Sequence, residues 1–455
     1  MDTRGPVGRR TRQTLDVATA QAGELADLAL QAYIWGYPAV QMDRTRKLLT
    51  GDHAFGAPVN SFFHASRLLT ADDRAVVKPN NDTLYSSAWL DLSREPLILS
   101  VPDTGGRYYS LFLMDAYTNG WGYVGRRTTG TRSARFVIAG PRWTGPPPGD
   151  PVLVSPTDTV WLLGRTLVDG PEDLFAARAS MRQYTLEALS GGAAELERHR
   201  GPAPSTESLG AFGISFFDEM CAVWAKNPPP AAERPFLDAW GRLGLAAGRV
   251  PSEEVRDPLA RTVLERIGLV GDPLLALSTP SSGDGPPAVP RRNGWDYQLA
   301  TGSYGQNFLL RARVAYQGIG AVHPREALYV TCRADAAGRP LRGDRRYVLR
   351  FPPGRLPPVD AFWSITAYGA DQYLIPNSVG RHSIGDRTRG LISGADGSLD
   401  ILIQTSEPAQ GTANWLPVGE GPFELVLRCY QPKAELLDGR YAVPPLEAAE
   451  VEPAG

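Results

Sequence analysis

The stretch Lys78-Pro79-Asn80-Asn81-Asp82-Thr83-Leu84-Tyr85 is the most unusual local sequence in the chain. Pro79 restricts the backbone before it to extended conformations. Three short polar side chains then precede a strand-like run. Two uses fit them. Asn81 or Asp82 can bond nearby backbone N–H groups and close an Asx-turn. Alternatively, Asn80, Asn81 and Asp82 line the mouth of a pocket, with the carboxylate handling protons. In the strand that follows, alternation puts Tyr85, Ser87, Trp89 and Asp91 on one face and Leu84, Ser86, Ala88 and Leu90 on the other. The second set reads as a core face. The first is a polar, aromatic surface suited to a wet cleft or to plain solvent.

A second such strand follows in RYYSLFLMDAY. Arg107, Tyr109, Leu111, Leu113, Asp115 and Tyr117 share a face, with Asn119 and Trp121 in the turn beyond. Asp115 stands among apolar neighbours. A carboxylate there either pairs with an arginine (Arg107, Arg126 or Arg165) or holds its proton and serves as a general acid or base. Further along, Thr366 and Tyr368 share a strand face opposite Trp363, with Asn377, Arg381 and His382 after the turn. An expected helix over 304–318 aligns Tyr304, Asn307 and Arg311 on one stripe. That stripe is a solvated face, or it presents Arg311 to an anionic ligand. Asp115, Tyr85 and Asp82 are therefore the expected catalytic groups. Asn80, Asn81, Trp89, Arg107, Tyr109, Asn119, Arg311, Tyr368, Asn377 and Arg381 are the expected binding groups.

Several chemistries lack their usual support. His53, His64, His199, His323 and His382 stand at no metal-ligand spacing, so no metal is expected. No P-loop, dinucleotide fingerprint or G-x-S-x-G elbow occurs, so no cofactor is expected either. Cys221, Cys332 and Cys429 lie far apart and read as buried free thiols rather than a disulfide framework. The net charge of -2 gives no reason to expect nucleic acid or an anionic membrane as a partner. No run reaches the roughly 18 apolar residues of a membrane span. Arg9, Arg10 and Arg12 hint at an export signal, but no apolar stretch follows them, so a cytoplasmic location is expected.

The elements that must position these residues come in blocks. At 455 residues the chain exceeds one ordinary core. Its 48 glycines and 40 prolines favour turns and short strands. Residues 1–15 read as a disordered tail. A helix is expected from about Asp16, broken or kinked at Pro38. Over 16–170 it is joined to a first antiparallel β-sandwich (TLYSSAWLDL, LILSVP, RFVIAG, TVWLLGRTL). Residues 171–290 read as a helical segment, including PEDLFAARASMRQYTLEAL, ending in the Ser/Gly/Pro-rich stretch 278–290. Residues 291–447 read as a helix plus a second sandwich. The expected class is α+β, mostly β: two antiparallel, jelly-roll-like sandwiches with an inserted helical segment.

The two strand-rich segments match in order. Thr83-Leu84-Tyr85 lies over Ala327-Leu328-Tyr329, Asp91 over Asp335, and Pro96 over Pro340. Ser110 then lies over Ser364, Gly125-Arg126 over Gly380-Arg381, and Arg165 over Arg428. This order points to an internal duplication, and clefts between paired domains favour ligands.

The run NNDTLYSSAWLDLSREPLILSVPDTGGRYYSLFLMDAYTNGW resembles the core of the domain of unknown function numbered 1254. RADAAGRPLRGDRRYVLRFPPGRLPPVDAFWSITAYGADQYLIPNSVGRHSIGD, with ADGSLDILIQ and NWLPVGEGPFELVLRCYQPKAELLDG, resembles its companion, number 1214. The resemblance covers 25–170 and 290–446. It implies a bacterial protein with β-sandwich or jelly-roll domains plus helices, and it implies no reaction.

Two functions are in accord with these residues. One is a cofactor-free enzyme acting by acid–base chemistry on a small polar or carbohydrate-like molecule in an interdomain cleft: a lyase, isomerase, cyclase or hydrolase. The other is a non-catalytic ligand-binding or assembly protein built of two sandwiches. The expected partner is a small molecule, and a homo-oligomer stays open.

Overall fold

The computed structural model describes residues 6–51, 55–74, 77–145, 149–191, 196–201, 213–278 and 290–449, with side chains described from residue 19. The first helix, α1, spans Pro6–Thr50. It starts inside the stretch expected to be a disordered tail, of which residues 1–5 lie outside the described residues. Pro38 does not end it. A proline inside a helix costs about 3 kcal/mol through a lost hydrogen bond and a clash. Around it, however, Tyr33, Trp35, Tyr37, Ala39 and Val40 are all buried, and burying rings of that size outweighs the loss.

Among the described residues, nine strands form the first half: β1 (Phe62–His64), β2 (Thr83–Asp91), β3 (Leu97–Val101), β4 (Tyr109–Met114), β5 (Gly120–Gly125), β6 (Ala134–Ala139), β7 (Val152–Val154), β8 (Thr159–Leu167) and β9 (Thr185–Ala188). They make two sheets, ordered β1-β2-β8-β4-β5 and β7-β6-β3-β9. The sheets enclose a core that includes Leu84, Leu90, Leu99, Leu111, Ile138 and Leu162. Helix α2 (Leu174–Met181) is the helical part of PEDLFAARASMRQYTLEAL. The rest of that run was expected to be helix and is instead strand β9, paired with β3. Tyr184, Leu186 and Ala188 alternate toward the core, so a short run compatible with either period is decided by an open sheet edge.

Among the described residues, ten strands form the second half: β10 (Arg291–Arg292), β11 (Trp295–Tyr297), β12 (Ala327–Cys332), β13 (Tyr347–Phe351), β14 (Val359–Gly369), β15 (Ser383–Gly385), β16 (Leu399–Gln404), β17 (Trp415–Pro417), β18 (Phe423–Pro432) and β19 (Leu446–Ala448). Their sheets are ordered β10-β11-β12-β18-β14-β15 and β17-β16-β13-β19. Leu328, Leu349, Trp363, Ile365, Ile401 and Leu427 belong to the core between them. Among the described residues, strand pairing is antiparallel except at β6–β7 and β16–β17, which are parallel. The fold is thus mixed helix and sheet, built on four largely antiparallel sheets.

Helices α3 (Ser215–Lys226), α4 (Arg234–Trp240), α5 (Pro251–Glu254) and α6 (Pro258–Ser278) supply the expected helical segment. The linker that follows falls on 279–289, outside the described residues. Helix α7 (Phe308–Gly318) sits between β11 and β12. Helices α1, α3, α4, α6 and α7 share one core with Trp35, Phe217, Trp240, Leu264 and Ala312. Among the described residues no helix is long and apolar enough to cross a membrane. Cys221, Cys332 and Cys429 are buried free thiols.

Alternation positions the site. The inward faces of β2, β4 and β8 carry leucines. Their outward faces carry Trp89, Phe112 and Trp161, which join Ala327, Phe362 and Tyr430 of the second half in one buried cluster. The two large sheets therefore meet through their outer faces.

Candidate functional site

The register of the first large sheet places four residues in a row. Tyr85 lies opposite Arg165, Arg165 opposite Ser110, and Ser110 opposite Gly125. Residues directly opposed in antiparallel strands project to the same face. The second large sheet holds the same row: Tyr329, Arg428, Ser364 and Gly385. Each row ends where a side chain has no room. A Cβ on Gly125 would lie 2.5 Å from the Tyr109 carbonyl oxygen, and one on Gly385 would lie 2.1 Å from that of Trp363. The rows are within electrostatic reach of one another. Burial raises the Tyr85 hydroxyl above the ordinary phenol value, Tyr329 adds to the rise, and the charges of Arg165 and Arg428 oppose it. Tyr85 and Tyr329 are both half-buried.

The two arginines are held differently. Arg428 donates to Thr366 Oγ1 at 2.9 Å, to the Tyr368 hydroxyl at 2.5 Å and to the Lys78 carbonyl at 3.1 Å. Arg165 donates from Nη2 to the Gly320 carbonyl at 3.3 Å and lies 5.5 Å from the Tyr85 ring centroid. Its Nε and Nη1 are buried with no hydrogen-bond partner among the described residues, as is Ser110 Oγ. Arg428 is left with an unpartnered Nε. Native interiors seldom leave charged N–H groups in that condition.

Several ion pairs cross between the halves, and two of them start from the residues just ahead of β2 and β12. Asp82 accepts from Arg387 at 2.9 Å and from Ser364 Oγ at 2.5 Å. Glu326 accepts from Arg127 at 2.6 Å and from the Tyr108 hydroxyl at 2.8 Å. Asn80 closes the expected turn, since its Oδ1 accepts the Asp82 N–H at 2.7 Å, and its Nδ2 donates to the Tyr430 hydroxyl at 2.5 Å. The turn-closing residue is thus Asn80, not Asn81 or Asp82. Asn81 Oδ1 is buried without a partner among the described residues. Nearby, burial raises the Asp386 carboxyl to about 6, while the Trp363 N–H and Arg387 pull it down.

Of the residues expected from sequence, Tyr85, Asp82, Asn80, Asn81 and Tyr368 gather at the seam between the large sheets. Trp89 shares that face and stacks on Trp161 at 5.0 Å. The others lie elsewhere. Arg107 pairs with Asp173 and the Leu167 carbonyl. Tyr109 turns into the first sandwich core and stacks on Tyr184. Asp115 lies past the end of β4, where its carboxylate accepts the N–H groups of Tyr117 and Asn119 at 2.8 and 2.9 Å and the Asn119 side chain at 3.0 Å. None of its three expected arginines reaches it by ion pair; burial raises its pKa against those bonds. Asn377 and Arg381 brace a loop, with Arg381 donating to the Thr412, Ala413 and Trp415 carbonyls.

Arg311 is 1% exposed and not on a solvated stripe. Helix α7 begins at Phe308, capped by Asn307, so Tyr304 precedes it. Arg311 instead sits in the helical core, 3.6 Å from Glu233 and 5.7 Å from the Tyr117 ring centroid.

Sequence reasoning left Arg165, Arg428, Ser110, Tyr329, Arg387 and Glu326 out of the site. For the first four the signal was present, as matched positions in the two halves. Among the described residues, no group of three or more His, Cys, Asp or Glu is arranged to hold a metal ion.

Comparisons follow the same division. Residues 59–188 match the model of a protein of unknown function, DUF1254, and residues 326–434 match another, DUF1214. The chain is similar to the crystal structure of the VPA0106 protein from Vibrio parahaemolyticus, at 27% identity and a TM-score of 0.70, covering 94% of this chain and 100% of that one. It aligns with a putative uncharacterized protein from Burkholderia cenocepacia at 13% identity and a TM-score of 0.44, covering 97% of each. No curated protein matches.

Proposed function

We propose, for a chain that carries DUF1254 and DUF1214 in that order, that the seam between its two large sheets takes a small anionic polar molecule. On that molecule Tyr85 and Tyr329 move protons without a cofactor. The observation that carries this is the row Tyr–Arg–Ser–Gly on each sheet, with buried guanidinium N–H groups unpartnered. A buried arginine beside a phenol suits proton abstraction next to a carboxylate. The guanidinium holds the carboxylate and lowers the cost of the negative charge that develops, while the phenol gives or takes the proton. Lyase, isomerase and cyclase reactions fall in this class, and hydrolysis with the phenol as acid is a related use.

A second reading is a binding protein without catalysis. One observation favours it: Asp82 and Glu326, the carboxylates just ahead of β2 and β12, are both engaged in ion pairs and hydrogen bonds within the protein.

We also infer that the halves are copies of one jelly-roll-like unit. Support comes from the strand orders, in which β2, β8, β4 and β5 correspond to β12, β18, β14 and β15, and from the parallel edge pair in each smaller sheet.

The test is a thermal-shift panel of carboxylates, phosphates and sulfates on the full chain. At least one class raises the Tm of wild type and not of Arg165→Met. A panel in which no anion raises the Tm ends the proposal.

A further inference from the structure

We infer that the two arginines have divided their roles: Arg165, with Ser110, grips the ligand's anionic group, while Arg428 is a fixed cation that positions the second row. This rests on the reading of the seam as an anion site and adds which half of it works.

The argument compares the rows position by position. Arg428 is held by Thr366 and Tyr368, which follow Ser364 by two and four residues on β14. The places two and four residues after Ser110 on β4 are Phe112 and Met114. Neither side chain accepts a hydrogen bond of consequence, so β4 gives Arg165 no counterpart of Thr366 and Tyr368, and its side-chain acceptor within the sheet is Tyr85 on β2. The serines differ in the same sense. Ser364 donates to Asp82 at 2.5 Å. Glu326 takes the place of Asp82 ahead of the matching strand, but it is one methylene longer and engages Tyr108 and Arg127 instead. Ser110 Oγ is left without a partner.

The first row therefore presents Nε–H, the two N–H bonds of Nη1 and one hydroxyl from adjacent strands, with the Tyr85 hydroxyl as the acceptor of its own row. These donors suit an oxyanion with several lone pairs, such as a carboxylate, sulfate or monophosphate. The second row uses three of its five guanidinium N–H bonds internally, both of those on Nη2 among them, and its serine is spent on Asp82. Hence one anionic group binds per chain, not two.

Isothermal titration with malonate, sulfate and inorganic phosphate tests this on the full chain. Wild type binds one equivalent of at least one probe. Arg165→Met lowers the affinity roughly 100-fold. Arg165→Lys keeps the charge, loses the Nε–H and lowers the affinity about 10-fold, which gives a reading should the methionine variant not fold. Ser110→Ala weakens binding about 10-fold. Arg428→Met lowers the Tm, because Thr366 and Tyr368 lose their donor, and changes the affinity of the folded protein less than 10-fold. Two equivalents per chain, or binding governed by Arg428 with Arg165 variants unaffected, overturns the division of roles and leaves the anion site standing. Wild type that binds none of the three probes removes the anion site itself.

Discussion

Asp82, at the head of β2, is closed into an ion pair at 2.9 Å by Arg387, which lies just past β15 in the other half of the chain. Glu326, at the head of β12, is closed at 2.6 Å by Arg127, just past β5. The exchange is reciprocal, and each guanidinium also lies over an aromatic ring of its own half, Phe362 at 4.2 Å and Tyr123 at 5.0 Å. Removing one partner of such a pair strands a buried carboxylate. Arg387→Met is expected to cost about 3–5 kcal/mol, read as a fall in the urea midpoint. The double variant Asp82→Asn/Arg387→Met recovers part of it. A single variant within about 0.5 kcal/mol of wild type would show that the pair does not hold the halves together.

Asp115→Asn separates structure from chemistry. The carboxylate accepts three bonds within its own turn, and Thr118 in that turn has φ +69. The variant is expected to lose about 1–3 kcal/mol of stability while binding at Arg165 is unchanged. A loss of binding or turnover at constant Tm would return Asp115 to the site.

Tyr85→Phe keeps the ring under Arg165 and removes the hydroxyl. Under the proton-transfer reading, turnover of an identified substrate falls by about 100-fold or more with the fold intact. Under the binding reading, affinity falls a few-fold and there is no turnover to lose. Comparing Tyr85→Phe with Tyr329→Phe in the same assay shows which phenol acts.

Two partly desolvated groups, the half-buried His64 and Asp386 with its side chain 30% exposed, set opposite pH dependences. Burial, aided by Arg182, lowers the His64 pKa to about 4. The unfolded chain then binds the extra proton first as pH falls, so His64 costs stability progressively from about pH 6.5 down to about 4. Asp386, raised to about 6 by burial, is protonated earlier in the folded chain than in the unfolded one. It adds stability as pH falls through 6 toward 4, and that stability is lost as pH rises through the same window. Replacing His64 with Asn should therefore flatten the acid side of the stability curve, and Asp386→Asn should steepen it. Urea midpoints at pH 4.5, 5.5 and 7.5 check both signs.

How far the site could be read from sequence depended on which residues carried two signals. Tyr85, Ser110 and Arg165 were matched in order with Tyr329, Ser364 and Arg428, and the strand registers place each trio in one row. Alternation correctly separated Leu84, Ala88 and Leu90 from Trp89 on β2. On β4 the same rule was applied to the wrong face. Arg107 and Asp115 made the Tyr109 face look functional, yet both lie outside the strand Tyr109–Met114, so their polarity says nothing about what the strand turns outward. The match of Arg126 with Arg381 also failed. Gly125 stands opposite Ser110 and Gly385 opposite Ser364, which makes Arg127 the counterpart of Arg387. Turn lengths between strands differ, and only pairing reveals that shift.

The reciprocal clamps carry a consequence for each half taken alone. The first half owns Asp82 and Arg127, and the second owns Glu326 and Arg387, so each seam face bears both an acid and a base beside exposed aromatic rings. A face that carries both an acid and a base meets one condition for pairing with its own copy. A half expressed by itself is expected to assemble with its own copy, acid to base, in the arrangement that one chain now achieves internally.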